Sequence, residues 1–215
     1  ISINKATKYV GGIKIETSAP TAKGIFNAIN TTFKFLTNKE LKESTIAISG
    51  VGKVGSKLSK LLFERNANLI VSNVGRDPID QLKHDKISFT ESDINSIFEQ
   101  KCDIISPCAL GGVINSETKK KLKCKAIVGA ANNQLDKSET ALWLKENNIF
   151  YAPDYLVNSG GVIAISCEIN NSEDTLDDQL NKISDKVLSL LKESKKSSLS
   201  TDKIAEDLAW KRINI

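Results

Sequence analysis

The fold class of this chain can be inferred from Thr45-Ile46-Ala47-Ile48-Ser49-Gly50-Val51-Gly52-Lys53-Val54-Gly55. A short apolar and β-branched run leads into Gly-x-Gly-x-x-Gly, and an amphipathic pattern follows at once. This order predicts a strand, a tight turn and a helix. The helix N-terminus offers free N–H groups and a positive dipole end to phosphates. The stretch therefore predicts a dinucleotide-binding turn, and a glycine-rich turn without a ligand is the alternative.

Each glycine of the motif has a physical task in such a turn. Gly50 makes the turn, Gly52 lets the backbone approach a pyrophosphate, and Gly55 lets the helix pack close to its strand. A second strand is predicted at residues 68–73. This strand strengthens the interpretation, because a glycine motif by itself is a weak signal.

Strands and helices alternate along the chain. Strands are predicted at residues 45–49, 68–73, 87–89, 103–106, 126–129 and 149–151. Helices are predicted at residues 20–36, 53–65, 92–98, 115–122 and 138–147, with a loop at 74–78. The alternation is typical of an α/β fold, here a Rossmann-type doubly wound parallel sheet. Its carboxyl edge would gather the loops at residues 50–55, 73–76, 107–112, 130–134 and 153–161.

Additional C-terminal helices are predicted beyond the sheet. Residues 176–190 carry a single apolar stripe, residues 192–200 are typical of a polar linker, and a final helix is expected near 201–212. We divide the chain into an interdomain lead-in at residues 1–18, a dinucleotide-binding Rossmann domain at 19–171, and C-terminal helices at 172–215. These helices are expected to pack back on the Rossmann domain or toward a missing substrate domain.

Composition and charge narrow the class of protein. The 215 residues are 40% hydrophobic, which suits one large α/β domain with appendages. The net charge is +4, but the basic residues are mostly scattered lysines, which disfavours a nucleic-acid surface. Neither a membrane span nor a signal peptide is evident. We therefore expect a cytoplasmic protein with neither nucleic-acid nor membrane partners.

Cysteine and histidine usage argues against metal and triad chemistry. The four cysteines have no Cys-x-x-Cys spacing, so we expect buried, reduced thiols rather than disulfides or zinc ligands. The single histidine, His84, lies in a polar run and is expected at the surface. No metal site is predicted. The chain begins at Ile1 and contains no methionine, so we expect it to be a piece of a longer polypeptide.

Several motifs together resemble a known family. They are 21–24 (TAKG), 50–55 (GVGKVG), 107–112 (PCALGG), 132–135 (NNQL), 151–155 (YAPDY) and 158–162 (NSGGV), in this order. The combination resembles the C-terminal half of the leucine dehydrogenases, within the Glu/Leu/Phe/Val amino-acid dehydrogenase family. The resemblance runs from about residue 7 to the end of the chain.

The resemblance implies NAD-dependent oxidative deamination of a branched-chain amino acid to its 2-oxo acid and ammonia. It implies that an N-terminal domain of the same polypeptide holds most of the substrate and supplies the catalytic Lys and Asp. No catalytic residue is then expected in this chain, although Gly11-Gly12-Ile13-Lys14 superficially resembles the lysine motif. The resemblance also implies a homo-oligomer.

The family's contact residues transfer to particular positions. The implied cofactor contacts are Thr21, Gly50, Val51, Gly52, Val54, Gly55, Asn73, Cys108, Ala109, Asn133 and Asn158. Asn158 and Val162 are also implied at the substrate. Asparagine can donate and accept hydrogen bonds, which suits a carboxamide or a ribose hydroxyl, but Asn133 and Asn158 also fit turns or helix caps. Cys108 and Asp154 fit structural roles equally well.

One position departs from the family pattern. The residue that ends the second strand is an Asp in the family and is Asn73 here. A carboxylate there would accept hydrogen bonds from the ribose hydroxyls and repel a 2′-phosphate. Arg76 follows three residues later, so NADP use stays open while NAD is the preferred cofactor.

Three other functions remain open from the sequence. The chain could be a nucleotide-binding module that never catalyses, or part of a dehydrogenase with another amino-acid specificity. A different Rossmann dehydrogenase fits the fold but not the later loops. The coding sequence upstream of Ile1 would discriminate among them, since a glycine-rich lysine motif there would support the enzyme.

Overall fold

The computed structural model describes residues 15–213. The Gly11-Gly12-Ile13-Lys14 motif lies outside the described residues. The division of the chain at residues 18 and 171 stays a prediction.

Six parallel strands form one sheet in the order β3-β2-β1-β4-β5-β6. Their bounds are β1 Thr45–Ser49, β2 Asn68–Ser72, β3 Thr90–Glu91, β4 Ile104–Pro107, β5 Ala126–Ile127 and β6 Phe150–Tyr151. The order reverses between β1 and β4, the topological switch point at which doubly wound sheets bind ligands. The predicted α/β fold class with a Rossmann-type sheet is confirmed.

Helices connect the strands and extend beyond the sheet. Their bounds are α1 Ser18–Thr37, α2 Lys53–Phe63, α3 Arg76–His84, α4 Ser138–Glu146, α5 Asp154–Val157, α6 Gly160–Ile169, α7 Leu176–Lys196 and α8 Thr201–Ile213. Short 3₁₀ turns lie at Leu41–Glu43, Ile97–Glu99, Thr118–Lys121 and Glu173–Thr175. The predicted polar linker is therefore partly helical, because α7 continues to Lys196.

The sheet buries apolar side chains on both faces. Ile46 and Ile48 of β1 belong to one core cluster, and Ala47 between them belongs to the other. This alternation follows from the two-residue period of a strand. The first cluster also contains apolar residues of α1, α2, α3 and α7. A sheet covered on both faces leaves its carboxyl edge as the place for a binding site.

Helix α7 packs against α1 and shares its core. Leu180, Ile183 and Val187 are buried in the cluster that holds Ile25 and Ile29. The two helices approach closely at Gly24, where an added Cβ would lie 2.8 Å from Ile183 Cδ1. The apolar stripe predicted for this segment is therefore a packing face.

The segment between β2 and β4 differs from its sequence prediction. Helix α3 begins at Arg76, inside the predicted loop, because Pro78 lies in the first helical turn, where no N–H donor is needed. The strand predicted at residues 87–89 is wrong, since β3 is Thr90–Glu91. The helix predicted at 92–98 is also wrong. Asp93 accepts the backbone N–H groups of Asn95 and Ser96, and this turn competes with a helix.

Candidate functional site

The glycine turn after β1 has the geometry that its sequence predicts. Gly50 has φ +98°, a conformation that favours glycine, and its N–H donates to the carbonyl of Ser72 at 2.8 Å. Gly55 lies in the first turn of α2, directly against Gly50. The turn thus ties the ends of β1 and β2 to the start of the helix.

Gly52 faces open space at the N-terminus of α2. Apart from its chain neighbours, a Cβ placed on Gly52 would have no described atom within 4 Å. The first backbone N–H groups of a helix have no acceptor within the helix, so they point toward this space. The neighbouring Val51 is fully buried and Val54 is partly buried in the first core cluster. Their side chains therefore shape the turn, while its backbone is left for an anion.

Asn73 connects the glycine turn to the loop after β2. Its side-chain oxygen accepts the N–H of Val51 at 3.0 Å, and its side-chain nitrogen donates to the carbonyl of Gly75 at 2.8 Å. An amide satisfies both partners, whereas a carboxylate could only accept. Asn73 is partly exposed, so one lone pair and one hydrogen remain for a ligand.

The loop after β4 lies beside the glycine turn across the switch point. Cys108 donates its N–H to the carbonyl of Ser49 at 2.8 Å, and Ala109 is so close that a Cβ on Gly50 would lie 2.6 Å from the Ala109 Cβ. Burial raises the pKa of the Cys108 thiol, whose sulfur lies 3.5 Å from the hydroxyl of Ser106. Cys108 therefore fits a packing role, and Ala109 presents an exposed edge to the crevice.

The loop after β5 is held by Asp154. One carboxylate oxygen of Asp154 accepts the N–H of Asn133 at 2.9 Å, and the other accepts the hydroxyl of Tyr151 at 2.8 Å. Asn133 has φ +52°, a left-handed conformation that asparagine tolerates, and its carbonyl accepts the N–H of Gly112 at 2.7 Å. The backbone of Asn133 is thus a brace between loops, while its side chain is exposed.

Asn158 joins the loop after β5 to the start of α6. Its side-chain nitrogen donates to the carbonyl of Ala130 at 3.2 Å and to the side-chain oxygen of Asn132 at 2.7 Å. Both hydrogens of the amide are therefore used within the protein. In the described part of the chain no donor bonds its oxygen, which leaves an acceptor for a ligand.

Thr21 lies at the junction of α1 and α6, next to Gly161. An added Cβ on Gly161 would be 2.9 Å from the Thr21 hydroxyl, which donates to the carbonyl of Thr17 at 2.8 Å. Val162 is 71% exposed, so its side chain is available for a contact that the fold itself does not make. Thr21 therefore packs against the start of α6, the helix that also carries Val162.

Comparison with known protein families places this geometry in a family. The model of the Glutamate/Leucine/Phenylalanine/Valine dehydrogenases matches residues 11–73 and 69–213, which is most of the chain.

The chain belongs to the Glu/Leu/Phe/Val dehydrogenase family.

Relatives within this family carry different substrates in their names. A phenylalanine dehydrogenase of Thermoactinomyces intermedius is 39% identical over 211 residues, which are 96% of this chain and 57% of the relative. A leucine dehydrogenase of the same organism is 33% identical, over 99% of this chain and 60% of the relative. The resemblance inferred from the motifs is confirmed at the level of the family.

A solved structure of the family also has the same fold as this chain. The crystal structure of an L-tryptophan dehydrogenase from Nostoc punctiforme superposes with a TM-score of 0.87 at 32% identity. The match covers 92% of this chain and 60% of that structure. The chain thus spans 57–60% of the length of these members of the family.

One buried residue supports the loop after β5, a contact that the sequence did not indicate. Gln134 is fully buried, and its side-chain nitrogen donates to the carbonyls of Gly129 and Ala131, each at 2.9 Å. These bonds hold the loop from which Asn133 projects. The residue stands in a quoted motif, but an isolated glutamine carries no sequence signal for burial, since glutamine is mostly exposed.

The described residues also bear on the predictions for metal ligands, cysteines and the histidine. Within residues 15–213 there is no cluster of three or more His, Cys, Asp or Glu that could hold a metal ion. His84 is exposed as predicted, and all four cysteines are free thiols. The same part of the chain contains no helix both long and apolar enough to cross a membrane.

Proposed function

We propose that this chain is the NAD-binding half of an amino-acid dehydrogenase, which deaminates its substrate oxidatively to a 2-oxo acid and ammonia. The observation that carries the proposal is the open space at Gly52, in front of the first helix after the glycine turn. Membership of the family supports it, since these amino-acid dehydrogenases generally use NAD or NADP. The residues present fit a dinucleotide, because Gly52 has no side chain that would keep a pyrophosphate away from the N-terminus of α2.

The residues of the crevice would hold such a cofactor in distinct ways. When bound, the nicotinamide cofactor supplies the hydride acceptor. The backbone at Gly52 and the start of α2 would bind the pyrophosphate, and Asn73 would meet the adenosine ribose. Ala109 and Asn133 would line the crevice from the loops after β4 and β5. The free side-chain oxygen of Asn158 would accept a hydrogen bond and so orient the reacting end.

The rest of the active site is proposed to come from elsewhere in the protein. The chain spans 57% of the length of the phenylalanine dehydrogenase that it matches. We propose that a preceding segment of the same polypeptide holds the amino acid and supplies the catalytic Lys and Asp. We further propose that the whole protein is a homo-oligomer of the cytoplasm.

The substrate is proposed to be an apolar amino acid of the leucine type. The exposed Val162, adjacent in sequence to the junction with Thr21, would offer a small apolar contact next to Asn158. An aromatic amino acid is the second candidate, because the 39% identical relative is named a phenylalanine dehydrogenase. Comparing kcat/KM for leucine and phenylalanine in the longer polypeptide would separate the two. Absence of turnover with any amino acid would favour a non-catalytic module.

NADH titration of the purified chain tests the nucleotide site directly. We expect saturable binding with one site per chain, which NADH fluorescence or calorimetry would measure. Gly52→Val should weaken binding at least tenfold, because its branched side chain would fill the open space. Gly52→Ala adds only one methyl group and should have a smaller effect. Both variants should melt near the wild type, since nothing described lies within 4 Å of the new atom.

Two results would contradict the proposed nucleotide site. One is a wild-type chain that does not bind NADH at millimolar concentration. The other is a Gly52→Val variant that is folded, by circular dichroism and melting temperature, yet binds NADH as the wild type does. The second result would show that the glycine turn does not hold phosphate.

A further inference from the structure

A network of charged side chains lies beside the carboxyl end of β2. Arg76 donates from Nε to a carboxylate oxygen of Asp80 at 3.0 Å and from Nη1 to Glu91. The other carboxylate oxygen of Glu91 accepts Lys83 Nζ at 3.2 Å. Glu91 therefore holds two cations at once, one on each oxygen. All four side chains are substantially exposed, so a ligand can reach them.

The network lies next to the position expected for the adenosine ribose. Glu91 is paired with Val71 across β2 and β3, and Asn73 follows Val71 by two residues. Helix α3 begins at Arg76, directly after the loop that Asn73 braces. In dinucleotide-binding folds the residue at the end of this strand meets the ribose 2′-hydroxyl. A 2′-phosphate on the cofactor would therefore approach Arg76 and its partners.

The charge of this region does not favour an added phosphate. Arg76 and Lys83 are offset by Asp80 and Glu91, and Asp77 in the first turn of α3 adds a further carboxylate. Glu91 raises the pKa of the Arg76 guanidinium through its charge, and the hydrogen bond from Lys83 lowers the pKa of the Glu91 carboxyl. Both shifts favour the charged forms of Arg76 and Glu91. The region has no positive excess for a phosphate monoester, which carries about −1.5 to −2 charges.

We propose that Glu91 is a specificity-determining residue that makes the site prefer NAD over NADP. The proposal rests on the nucleotide site proposed above. Glu91 supplies, from the neighbouring strand β3, the negative charge that is missing at Asn73. It repels a 2′-phosphate directly, and it keeps Arg76 and Lys83 occupied as its own partners.

Neutralising Glu91 should reverse both effects at once. Glu91→Gln keeps the shape of the side chain but removes one negative charge. Among residues 15–213, Arg76 would then keep its ion pair with Asp80 alone, and Lys83 would lose its pair with Glu91. Arg76 would be free to bind a 2′-phosphate through its planar fork of donors. The NADH complex has no 2′-phosphate and should be insensitive to this change.

The experiment compares NADH and NADPH dissociation constants by fluorescence titration of the purified chain. For the wild type we expect NADPH to bind at least tenfold more weakly than NADH. Glu91→Gln should tighten NADPH at least tenfold and leave NADH within twofold. The matched control is Glu99→Gln, which removes an equally exposed glutamate, 42% against 41%, from its pair with Lys121. This control should leave both constants within twofold, and Glu91→Gln/Arg76→Gln should lose most of the gain.

The outcomes separate this inference from the proposed function. If NADH does not bind the wild type, both are overturned. If NADH binds but the wild type accepts NADPH equally well, or the folded Glu91→Gln variant leaves NADPH binding unchanged, the inference alone is overturned. An equal gain in the Glu99→Gln variant would also overturn it, because net charge rather than position would then be responsible.

Discussion

A Cβ atom on Gly55 would lie 2.0 Å from the carbonyl oxygen of Gly50. The carbonyl belongs to the backbone and the backbone sets the position of a Cβ atom, so neither can move away by a rotamer change. The third glycine of the motif therefore serves the packing of α2 on the turn, and the second glycine, Gly52, faces space that no described residue fills within 4 Å. Gly55 is thus needed for stability, whereas Gly52, three residues earlier, is the glycine expected to affect binding.

Gly55→Ala should therefore destabilise the fold. Forcing extra atoms into a packed site costs about 1–3 kcal/mol, and the cost here should lie at the upper end because the clash is with backbone. Urea unfolding of the variant would measure it, with Gly52→Ala as the control that should cost little. A Gly55→Ala variant as stable as the wild type would show that the turn relaxes easily.

Asn73→Asp should change both the turn and the cofactor preference. The carboxylate can still accept the N–H of Val51, but it cannot donate to the carbonyl of Gly75. We expect a loss of stability of about 0.5–1.5 kcal/mol from that hydrogen bond. The new charge should tighten NADH and weaken NADPH, shifting the ratio of their dissociation constants at least tenfold. An unchanged ratio would confine Asn73 to a role in holding the turn.

The chain by itself should bind NADH without deaminating an amino acid. The proposed catalytic Lys and Asp belong to a preceding segment, and correct placement of reacting groups can contribute roughly 7–11 kcal/mol. Incubating the purified chain with NAD and leucine or phenylalanine, and following absorbance of NADH, would test this. Leucine-dependent NADH formation that survives rigorous purification would show that the chain contains its own acid–base groups.

Alkaline pH should destabilise the protein through Cys102. This thiol is 8% exposed, and burial raises its pKa from 9.0 to about 12, with a smaller contribution from neighbouring Cys124. Because the folded state disfavours the thiolate, its stabilising contribution is complete below about pH 9. That contribution is lost as the pH rises toward 12, at up to about 1.4 kcal/mol per pH unit.

Comparing urea unfolding at pH 8 and pH 10.5 under reducing conditions would measure this effect. The wild type should lose about 2 kcal/mol through Cys102 over this range, in addition to losses from other groups. Cys102→Ala creates a small cavity and costs stability at both pH values, but its dependence on pH should be shallower by that amount. Parallel pH profiles for the two proteins would contradict the assignment.

Local sequence patterns were sufficient to predict the strand–turn–helix unit at the centre of the sheet and most of the other strands. The run from Thr45 to Gly55 predicts its strand, turn and helix because β-branched residues, glycine spacing and an amphipathic period all act over a few residues. The same reasoning failed between β2 and β4. There, a proline lay in the first turn of α3, and the side chain of Asp93 formed a turn in place of a helix.

The fold class, the family and the loops of the carboxyl edge could all be predicted from sequence patterns. The contacts between those loops were visible only in the folded chain: Asn73 with Val51, Asp154 with Asn133, and Glu91 with Arg76. The residues of each pair are 15 to 22 positions apart in the sequence. Their contacts depend on strand order and register, which are set by burial across the whole sheet rather than by any local pattern.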